Sequence, residues 1–234
     1  MIRKIPAEDR HYQEMGWLKT HWLFSFSNYF DPENVQFGNL RVFNDDYVEP
    51  HSGFQTHPHS EMEIVTIVMS GTITHKDSMG NEISISPGEI QRMTAGTGVR
   101  HSEMNDGDDP LKFYQIWFIP DEKGLEPDYG QKKFATEAYR NSLTPVVSSD
   151  SQNGALDINA SITIYRSIAD PGQTFEYPIE ENRGVFLYVT DGELDINGTT
   201  FSTKDQARVS EESKIVIEAK QETQFIMIDV KMSE

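Results

Sequence analysis

The residues best suited to chemistry lie in two short phrases. GFQTHPHSEMEIVTIVMSG carries His57 and His59, and SPGEIQRMTAGTGVRHSEMN carries His101 and Glu103. Each pair is spaced i, i+2, which on a β-strand places both side chains on the same face. If the two strands pair antiparallel, opposite Cβ atoms lie within about 5 Å of each other. The four donors could then converge on one ion.

Three imidazoles and one carboxylate suit a divalent transition metal such as Fe, Ni, Cu or Zn, whereas Mg and Ca prefer oxygen ligands alone. A single HxH pair is weak evidence, because polar residues also occur on strands for unrelated reasons. The second pair and the distribution of histidine strengthen the prediction, since all seven histidines lie within the first 101 residues. We therefore expect one metal ion per chain, bound in the N-terminal half.

Two glutamates compete for the fourth ligand position. On a straight strand Glu63 lies about 13 Å beyond His59, at about 3.3 Å per residue, so it could join the site only if the chain bends. Glu103 needs no bend, because it lies two residues from His101 on the same face. We therefore predict metal ligands at the three histidines and Glu103, with Glu63 as the alternative.

Short apolar and β-branched segments, separated by Gly and Pro, indicate an antiparallel sandwich or barrel. Residues 40–43, 63–69 and 111–119 are predicted strands, and residues 1–15 a polar edge segment. Asn44, Asp45 and Asp46 are assigned to a loop. His75 lies beside a predicted turn at residues 78–81, so we expect an exposed histidine rather than a ligand.

A second all-β series occupies the C-terminal half, with strands expected at residues 162–168, 184–189, 215–219 and 225–230. Asn197-Gly198 after residues 193–196 predicts a hairpin with a type I′ turn, because both residues tolerate positive φ. Residues 120–144 are poor in strand signals and are assigned to a linker, with a short helix near residues 135–140. We place the domains at residues 1–130 and 131–234.

The glycine pattern suggests an internal repeat. Gly172, Gly192 and Asn197-Gly198 follow one another much as Gly53, Gly71 and Gly80-Asn81 do in the first half. Where the first half has HPH, residues 175–177 read FEY, so the second domain is predicted to lack metal ligands.

The composition excludes several classes of protein. A formal net charge of −18 disfavours binding to nucleic acid, which requires clustered Lys and Arg. The absence of cysteine excludes disulfides and thiolate metal sites. No signal peptide and no apolar stretch of membrane-spanning length are evident, so we expect a cytoplasmic protein without a membrane partner. The sequence leaves the oligomeric state open.

The two phrases resemble the motifs of the cupin family. The matching residues are Gly53, His57, His59, Glu63 and Gly71 in the first motif, and Pro87, Gly98, His101 and Asn105 in the second. Gly53 stands closer to His57 than the general pattern expects. The sequence pattern GFxxHPHxxME followed by MTAGTGxxHSE resembles that of the pirin branch of the family, and within this branch that of bacterial pirin-like quercetin 2,3-dioxygenases.

This resemblance implies two cupin (jelly-roll) β-barrels in tandem, a bicupin. It implies a dioxygenase that opens the heterocyclic ring of a flavonol such as quercetin, using dioxygen and one metal ion. Fe(II) is the first candidate for that ion, and Ni, Cu, Co, Mn and Zn are the alternatives. Glu103 is then both ligand and catalytic base, and Phe54, Met93 and Trp117 are either apolar walls of the site or core residues.

Two other functions stay open at this point. One is a non-enzymatic iron-binding regulator, as in eukaryotic pirin. The other is a cupin isomerase that polarises a sugar or keto acid without oxygen.

Overall fold

The computed structural model describes residues 1–150 and 154–232. Within these residues the regular secondary structure is β-strand apart from two short 3₁₀ helices at Ala7–Asp9 and Thr136–Tyr139. The strands of the first half are β1 (Ile2–Ile5), β2 (His11–Glu14), β3 (Leu18–Trp22), β4 (Leu40–Val48), β5 (Ser52–His59), β6 (Glu63–Ser70), β7 (Ile73–Asp77), β8 (Glu82–Ile85), β9 (Glu89–Thr94), β10 (Val99–Asn105), β11 (Leu111–Phe118) and β12 (Asp128–Lys133).

The second half continues the pattern. Its strands are β13 (Thr144–Ser148), β14 (Leu156–Asp157), β15 (Ile162–Ala169), β16 (Thr174–Pro178), β17 (Arg183–Asp191), β18 (Glu193–Ile196), β19 (Thr199–Ser202), β20 (Gln206–Val209), β21 (Lys214–Ala219) and β22 (Thr223–Lys231). The predicted hairpin is confirmed, because Asn197 and Gly198 have φ of 48° and 87° between β18 and β19. The helix expected near residues 135–140 is the second 3₁₀ helix.

The strands form two barrels of the same construction. In the first, the seven-stranded sheet β12-β9-β6-β11-β4-β3-β2 faces the four-stranded sheet β5-β10-β7-β8. In the second, the sheet β1-β20-β17-β22-β15-β13-β14 faces the sheet β16-β21-β18-β19. Among the named strands of the described residues, every pair is antiparallel except β13 with β14. The prediction of two cupin barrels in tandem is confirmed.

The N-terminal strand crosses to the second barrel, whereas β12 stays at the edge of the first barrel. The N-terminal strand β1 pairs with β20 of the second barrel, and β12 pairs with β9 of the first barrel. The edge segment predicted at residues 1–15 is present, and it supplies an edge strand to each of the two large sheets. The segment assigned to a linker contains β12, which the charged sequence DYGQKK concealed. Because β12 runs across residue 130, the proposed division into residues 1–130 and 131–234 stays a prediction.

The barrels pack through their seven-stranded sheets. One apolar cluster contains side chains from both sheets, and the ring of Phe43 lies 5.3 Å from that of Phe186 and 5.0 Å from that of Tyr188. The core between the barrels is therefore continuous, and each four-stranded sheet lies on the outer side.

The repeat can be read residue by residue from the glycine that follows β6 and β17. Gly71 and Gly192 occupy this position, so Thr66 corresponds to Leu187, each lying five residues before its glycine. Both face the interior of their barrel and are fully buried. The strand pairings carry this correspondence to the neighbouring strands.

A row of buried polar side chains crosses the large sheet of the first barrel. This polar row consists of Asn44, Gln115, Thr66 and Gln91, each the cross-strand partner of the next. The equivalent positions of the second barrel hold Tyr165, Met227, Leu187 and Ala207. The fold therefore does not require polar groups at these positions, and a buried polar group without a partner costs about 1–3 kcal/mol.

The histidine phrase has an apolar counterpart in the second barrel. Strand β10 pairs with β7 in the same register in which β21 pairs with β18, so His101 corresponds to Ile215. The cross-strand partner of His101 is His57, and that of Ile215 is Tyr177. The segment equivalent to HPH is thus residues 177–179, which read YPI. The predicted correspondence with FEY is wrong by two residues, although no histidine occurs in either segment.

Strand β4 differs from the prediction at its centre. Asn44, Asp45 and Asp46 were assigned to a loop, yet all three lie within β4. Asn44 and Asp46 point into the barrel and are buried, while the Asp45 carboxylate on the opposite face accepts a 2.8 Å hydrogen bond from the Tyr188 hydroxyl. Tertiary contacts outweigh the low intrinsic strand preference of these residues.

Candidate metal centre

The predicted antiparallel pairing of the two motif strands is present. His101 of β10 pairs with His57 of β5, and Val99 pairs with His59. The register shifts between His101 and Glu103, a β-bulge of the kind that re-aims a side chain near functional sites.

The three predicted histidines converge. One ring nitrogen from each of His57, His59 and His101 lies within 4.8 Å of the other two. The Nε2 atoms of His57 and His101 are 3.0 Å apart. The His57 Nδ1–H donates a 2.7 Å hydrogen bond to the backbone carbonyl of Gln55, which leaves its Nε2 lone pair directed into the cluster.

Burial keeps the imidazoles of His59 and His101 in the neutral form that binds metals. Burial and the neighbouring imidazoles of His101 and His57 lower the pKa of His59 to about 4. Burial, followed by the influence of His57 and His75, lowers the pKa of His101 to about 3. Both groups are therefore unprotonated at neutral pH and can offer a lone pair.

Glu103 lies beside His101, and one of its two carboxylate oxygens is fixed by a hydrogen bond. The Gln115 Nε2 amide donates a 2.8 Å hydrogen bond to Glu103 Oε2, and the Thr66 hydroxyl donates a 2.7 Å bond to Gln115 Oε1. The other carboxylate oxygen, Oε1, is buried and has no hydrogen-bond partner. An unpartnered carboxylate oxygen on a buried residue that adjoins His101, a member of the histidine cluster, fits a divalent cation.

Glu63 lies elsewhere in the barrel. Its side chain is fully buried, and Oε2 accepts a 3.0 Å hydrogen bond from the Thr94 hydroxyl. Burial raises the pKa of Glu63, and the hydrogen bond from Thr94 opposes that rise. Among the described residues, Glu63 belongs to neither group of side chains that could hold a metal. The geometry therefore supports Glu103, rather than Glu63, as the carboxylate of the site.

His75 is buried, so the prediction of an exposed histidine is wrong. Its Nδ1 accepts a 3.1 Å hydrogen bond from the Gln91 amide, and its Nε2–H donates a 3.0 Å bond to Asp77. It forms a second group of possible ligands with His101 and Glu103, whose donor atoms also lie within 4.8 Å of one another. Both ring nitrogens of His75 are already engaged, so it packs behind His101 instead of completing the cluster.

A cavity of about 430 Å³ opens onto the histidines, within the size range of small-molecule sites. Phe54 and Trp117 line it, whereas Met93 lies in the core against Ile64. The residues that line the cavity are Met15, Leu18, Trp22, Phe26, Ser27, Asn44, Asp46, Phe54, His57, His59, Glu103, Gln115 and Trp117. Its walls are therefore mainly aromatic and aliphatic, with a few polar groups that can orient a ligand.

The polar row of the large sheet was not predicted from the sequence. Gln115 stands in the middle of the aromatic segment LKFYQIWFI, and Thr66 in the middle of EIVTIVM. A single amide or hydroxyl inside an otherwise apolar strand is a usable signal, because buried polar residues are the exception. Its meaning becomes visible only when β10 brings Glu103 over Gln115.

Two cupin barrels in tandem make this chain a bicupin. Its histidine cluster lies in the first barrel. Residues 6–118 match the family described as Pirin, and residues 145–230 match the family described as Quercetinase C-terminal cupin domain. The chain belongs to the pirin family.

Relatives cover the whole chain. It is 39% identical to the quercetin 2,3-dioxygenase of Escherichia coli K12 over 98% of this chain and 99% of the relative. It is 36% identical to a putative quercetin 2,3-dioxygenase of Zymomonas mobilis over 97% of each chain.

A crystal structure of the bacterial pirin YhhW from Escherichia coli in complex with nickel(II) superposes with a TM-score of 0.95. The two sequences are 38% identical, and each chain is covered to 100%. In the described part of this chain, no helix is long and apolar enough to cross a membrane.

Proposed function

We propose that this protein is a metal-dependent dioxygenase that opens the heterocyclic ring of a flavonol such as quercetin. One observation carries the proposal: His57, His59 and His101 converge, Glu103 adjoins His101, and an aromatic-lined cavity opens onto this site. The names of the relatives that cover the whole chain support the same activity. Such a cavity admits a flat aromatic molecule, and the donor set suits a transition metal.

The three histidines and Glu103 would hold the ion. When bound, the metal supplies Lewis-acid stabilisation of the deprotonated 3-hydroxyl oxygen and a centre at which dioxygen reacts. Iron(II) is our first candidate, and the nickel(II) complex of YhhW supports nickel as an alternative. The residues of the second barrel equivalent to His101 and His57 are Ile215 and Tyr177, so we place the chemistry in the first barrel.

Glu103 performs the proton transfer in this proposal. Its buried Oε1 has no hydrogen-bond partner in the protein, so that oxygen has lone pairs both for the ion and for the proton of the flavonol 3-hydroxyl. Gln115 fixes the other oxygen at 2.8 Å and prevents the carboxylate from turning away. The cavity walls, including Trp117 and Phe54, orient the rings and exclude water.

The reaction balances without a further reductant. The flavonol loses carbon 3 as carbon monoxide when two bonds of the heterocycle break. Carbon 3 leaves with its own oxygen. One atom of dioxygen bonds to carbon 2, which becomes the ester carbonyl, and the other bonds to carbon 4, which becomes a carboxylic acid. The proton taken from the 3-hydroxyl ends on that carboxyl group. One dioxygen is consumed for each carbon monoxide released.

The proposal is tested by oxygen uptake and carbon monoxide release with quercetin, using protein reconstituted separately with iron(II) and nickel(II). Luteolin, which lacks the 3-hydroxyl, serves as the matched control and should not be consumed. Equal amounts of oxygen consumed and carbon monoxide released would support the proposal. If no metal-loaded form consumes oxygen, the dioxygenase proposal fails and the non-enzymatic iron-binding regulator becomes the better hypothesis. Anaerobic turnover of a sugar or keto acid would instead indicate a cupin isomerase.

A further inference from the structure

Two polar side chains in the cavity lack a role in the proposed chemistry. Asn44 and Asp46 lie on the inward face of β4, line the cavity and are 4% and 3% exposed. Asn44 Oδ1 is buried and has no hydrogen-bond partner. No protein group among residues 1–150 and 154–232 donates a hydrogen bond to it.

The fold does not account for this arrangement. The position of the second barrel equivalent to Asn44 is Tyr165, whose hydroxyl lies 3.4 Å from that of Tyr177. A buried, unpartnered carbonyl oxygen costs about 1–3 kcal/mol, and such groups in native proteins call for an explanation. A ligand that donates hydrogen bonds would supply the missing partner.

Aromatic side chains connect this pair to the histidines. Trp22 is the cross-strand partner of Asn44, and its ring lies 5.4 Å from that of Phe26. Phe26 lies 5.4 Å from Trp117, which lies 4.9 Å from His59. One aromatic wall therefore runs from Asn44 to His59, with a polar group at each end.

The charges restrict what the Asn44 end can bind. No lysine or arginine stands among the described residues that line the cavity, while Asp46 and Glu103 both do. A carboxylate or phosphate on the ligand would face Asp46 with no lysine or arginine to balance its charge, whereas Asn44 Oδ1 and the Asp46 carboxylate accept hydrogen bonds. The complementary group is a neutral donor such as a phenolic hydroxyl.

We infer that Asn44 and Asp46 form a hydroxyl-binding subsite that accepts the catechol hydroxyl groups of an aromatic substrate, apart from the hydroxyl group that reacts. This inference rests on the proposed function for one point, which is that the reacting hydroxyl group of the substrate lies at the metal centre. Asn44 and Asp46 are specificity-determining residues in it, and they take no part in the proton transfer at Glu103.

The test uses binding, not turnover. Luteolin and chrysin both lack the 3-hydroxyl, and they differ by the two hydroxyl groups of the catechol ring. Isothermal titration calorimetry of nickel-loaded protein at pH 8.5 under nitrogen gives both affinities. We expect luteolin to bind about tenfold more tightly than chrysin, the value of one net hydrogen bond.

Asn44→Leu keeps the size of the side chain and removes its acceptor. It should abolish most of the luteolin preference and leave chrysin affinity within about twofold. Asp46→Leu should act in the same direction, and it provides a second variant if Asn44→Leu fails to fold. Asn28→Leu, at an exposed position outside the cavity, is the matched control and should retain the wild-type preference.

Three results would overturn the inference. They are equal binding of the two flavones by the wild type, equal losses for both ligands in the variants, and no binding of either flavone. A protein that prefers luteolin but does not consume quercetin would retain the subsite and lose the proposed activity, so the two failures are distinguishable.

Discussion

The amide of Gln115 donates a 2.8 Å hydrogen bond to Glu103 Oε2, and it does so from the centre of an otherwise apolar strand. Thr66 fixes the orientation of that amide by donating to Gln115 Oε1. The equivalent positions of the second barrel hold Met227 and Leu187, so this pair supports the carboxylate and not the fold.

This relationship predicts the effect of Gln115→Met, which introduces the side chain found at the equivalent position of the second barrel. The variant should fold, because methionine fills the same space there. We expect kcat for quercetin to fall about 10–100-fold, the usual cost of losing an outer partner of a metal ligand. Thr66→Val should give a smaller loss in the same assay. Wild-type activity in Gln115→Met would show that Glu103 needs no such support.

The two buried glutamates should differ in their effects. Glu103→Gln should abolish quercetin turnover and weaken metal binding at least about tenfold, because it removes the negative ligand and the base. Glu63→Gln should change kcat less than about threefold, since Glu63 is hydrogen-bonded to Thr94 away from the histidines. Steady-state kinetics and metal titration of both variants decide the point, and the reverse ranking would make Glu63 the ligand.

Removal of a single histidine should release the metal. His57→Ala and His101→Ala should each retain well under one metal equivalent per chain, measured by elemental analysis of protein purified without chelators. His51→Ala is the matched control, because His51 is exposed and pairs only with Asp108 on the surface. A full equivalent in the His57→Ala/His101→Ala double variant would rule out the proposed centre.

Acid should release the metal steeply. Protons compete with the ion for each imidazole, and three histidines titrate near about 6.5 when free. Bound metal holds its ligands unprotonated, so the release should begin below that pH and follow a multi-proton dependence. Metal content measured against pH with a competing chelator tests this. A one-proton dependence would mean that fewer than three histidines bind the ion.

Acid should also destabilise the metal-free protein. The pKa values of His59 and His101 are about 4 and 3 in the folded chain, below the value of about 6.5 in an unfolded chain. Between these values the unfolded chain binds more protons, so stability falls as pH falls from about 6.5 towards 3. Urea unfolding of metal-free protein at pH 7 and pH 5 should show this loss, and His101→Gln should reduce it.

The sequence revealed most of the fold because its local signals agree with one another. Alternating or apolar segments ended by Gly and Pro predict short strands, and Asn197-Gly198 specifies its own turn. The i, i+2 spacing of His57 and His59 carries over directly to one face of β5. In these cases the local pattern and the tertiary structure impose the same conformation.

The errors have a common physical origin. Asn44 to Asp46 look like a loop, and residues 128–133 look like a linker, because their local preferences oppose the strand that tertiary pairing imposes. His75 appears exposed beside its turn, but Gln91 reaches it from β9, while Asp77 of the same strand accepts the hydrogen bond of its other ring nitrogen. Partners that are distant in sequence decide these positions, and a single sequence does not show them.

The most direct test of the dioxygenase activity follows the oxygen atoms. Metal-loaded protein is supplied with quercetin and isotope-labelled dioxygen, and the ring-opened product and the gas are analysed by mass spectrometry. The account predicts two labelled oxygen atoms in the ester product and one unlabelled carbon monoxide per turnover, with no product from Glu103→Gln. Incorporation of fewer than two labelled atoms, or ring opening without dioxygen, would contradict it.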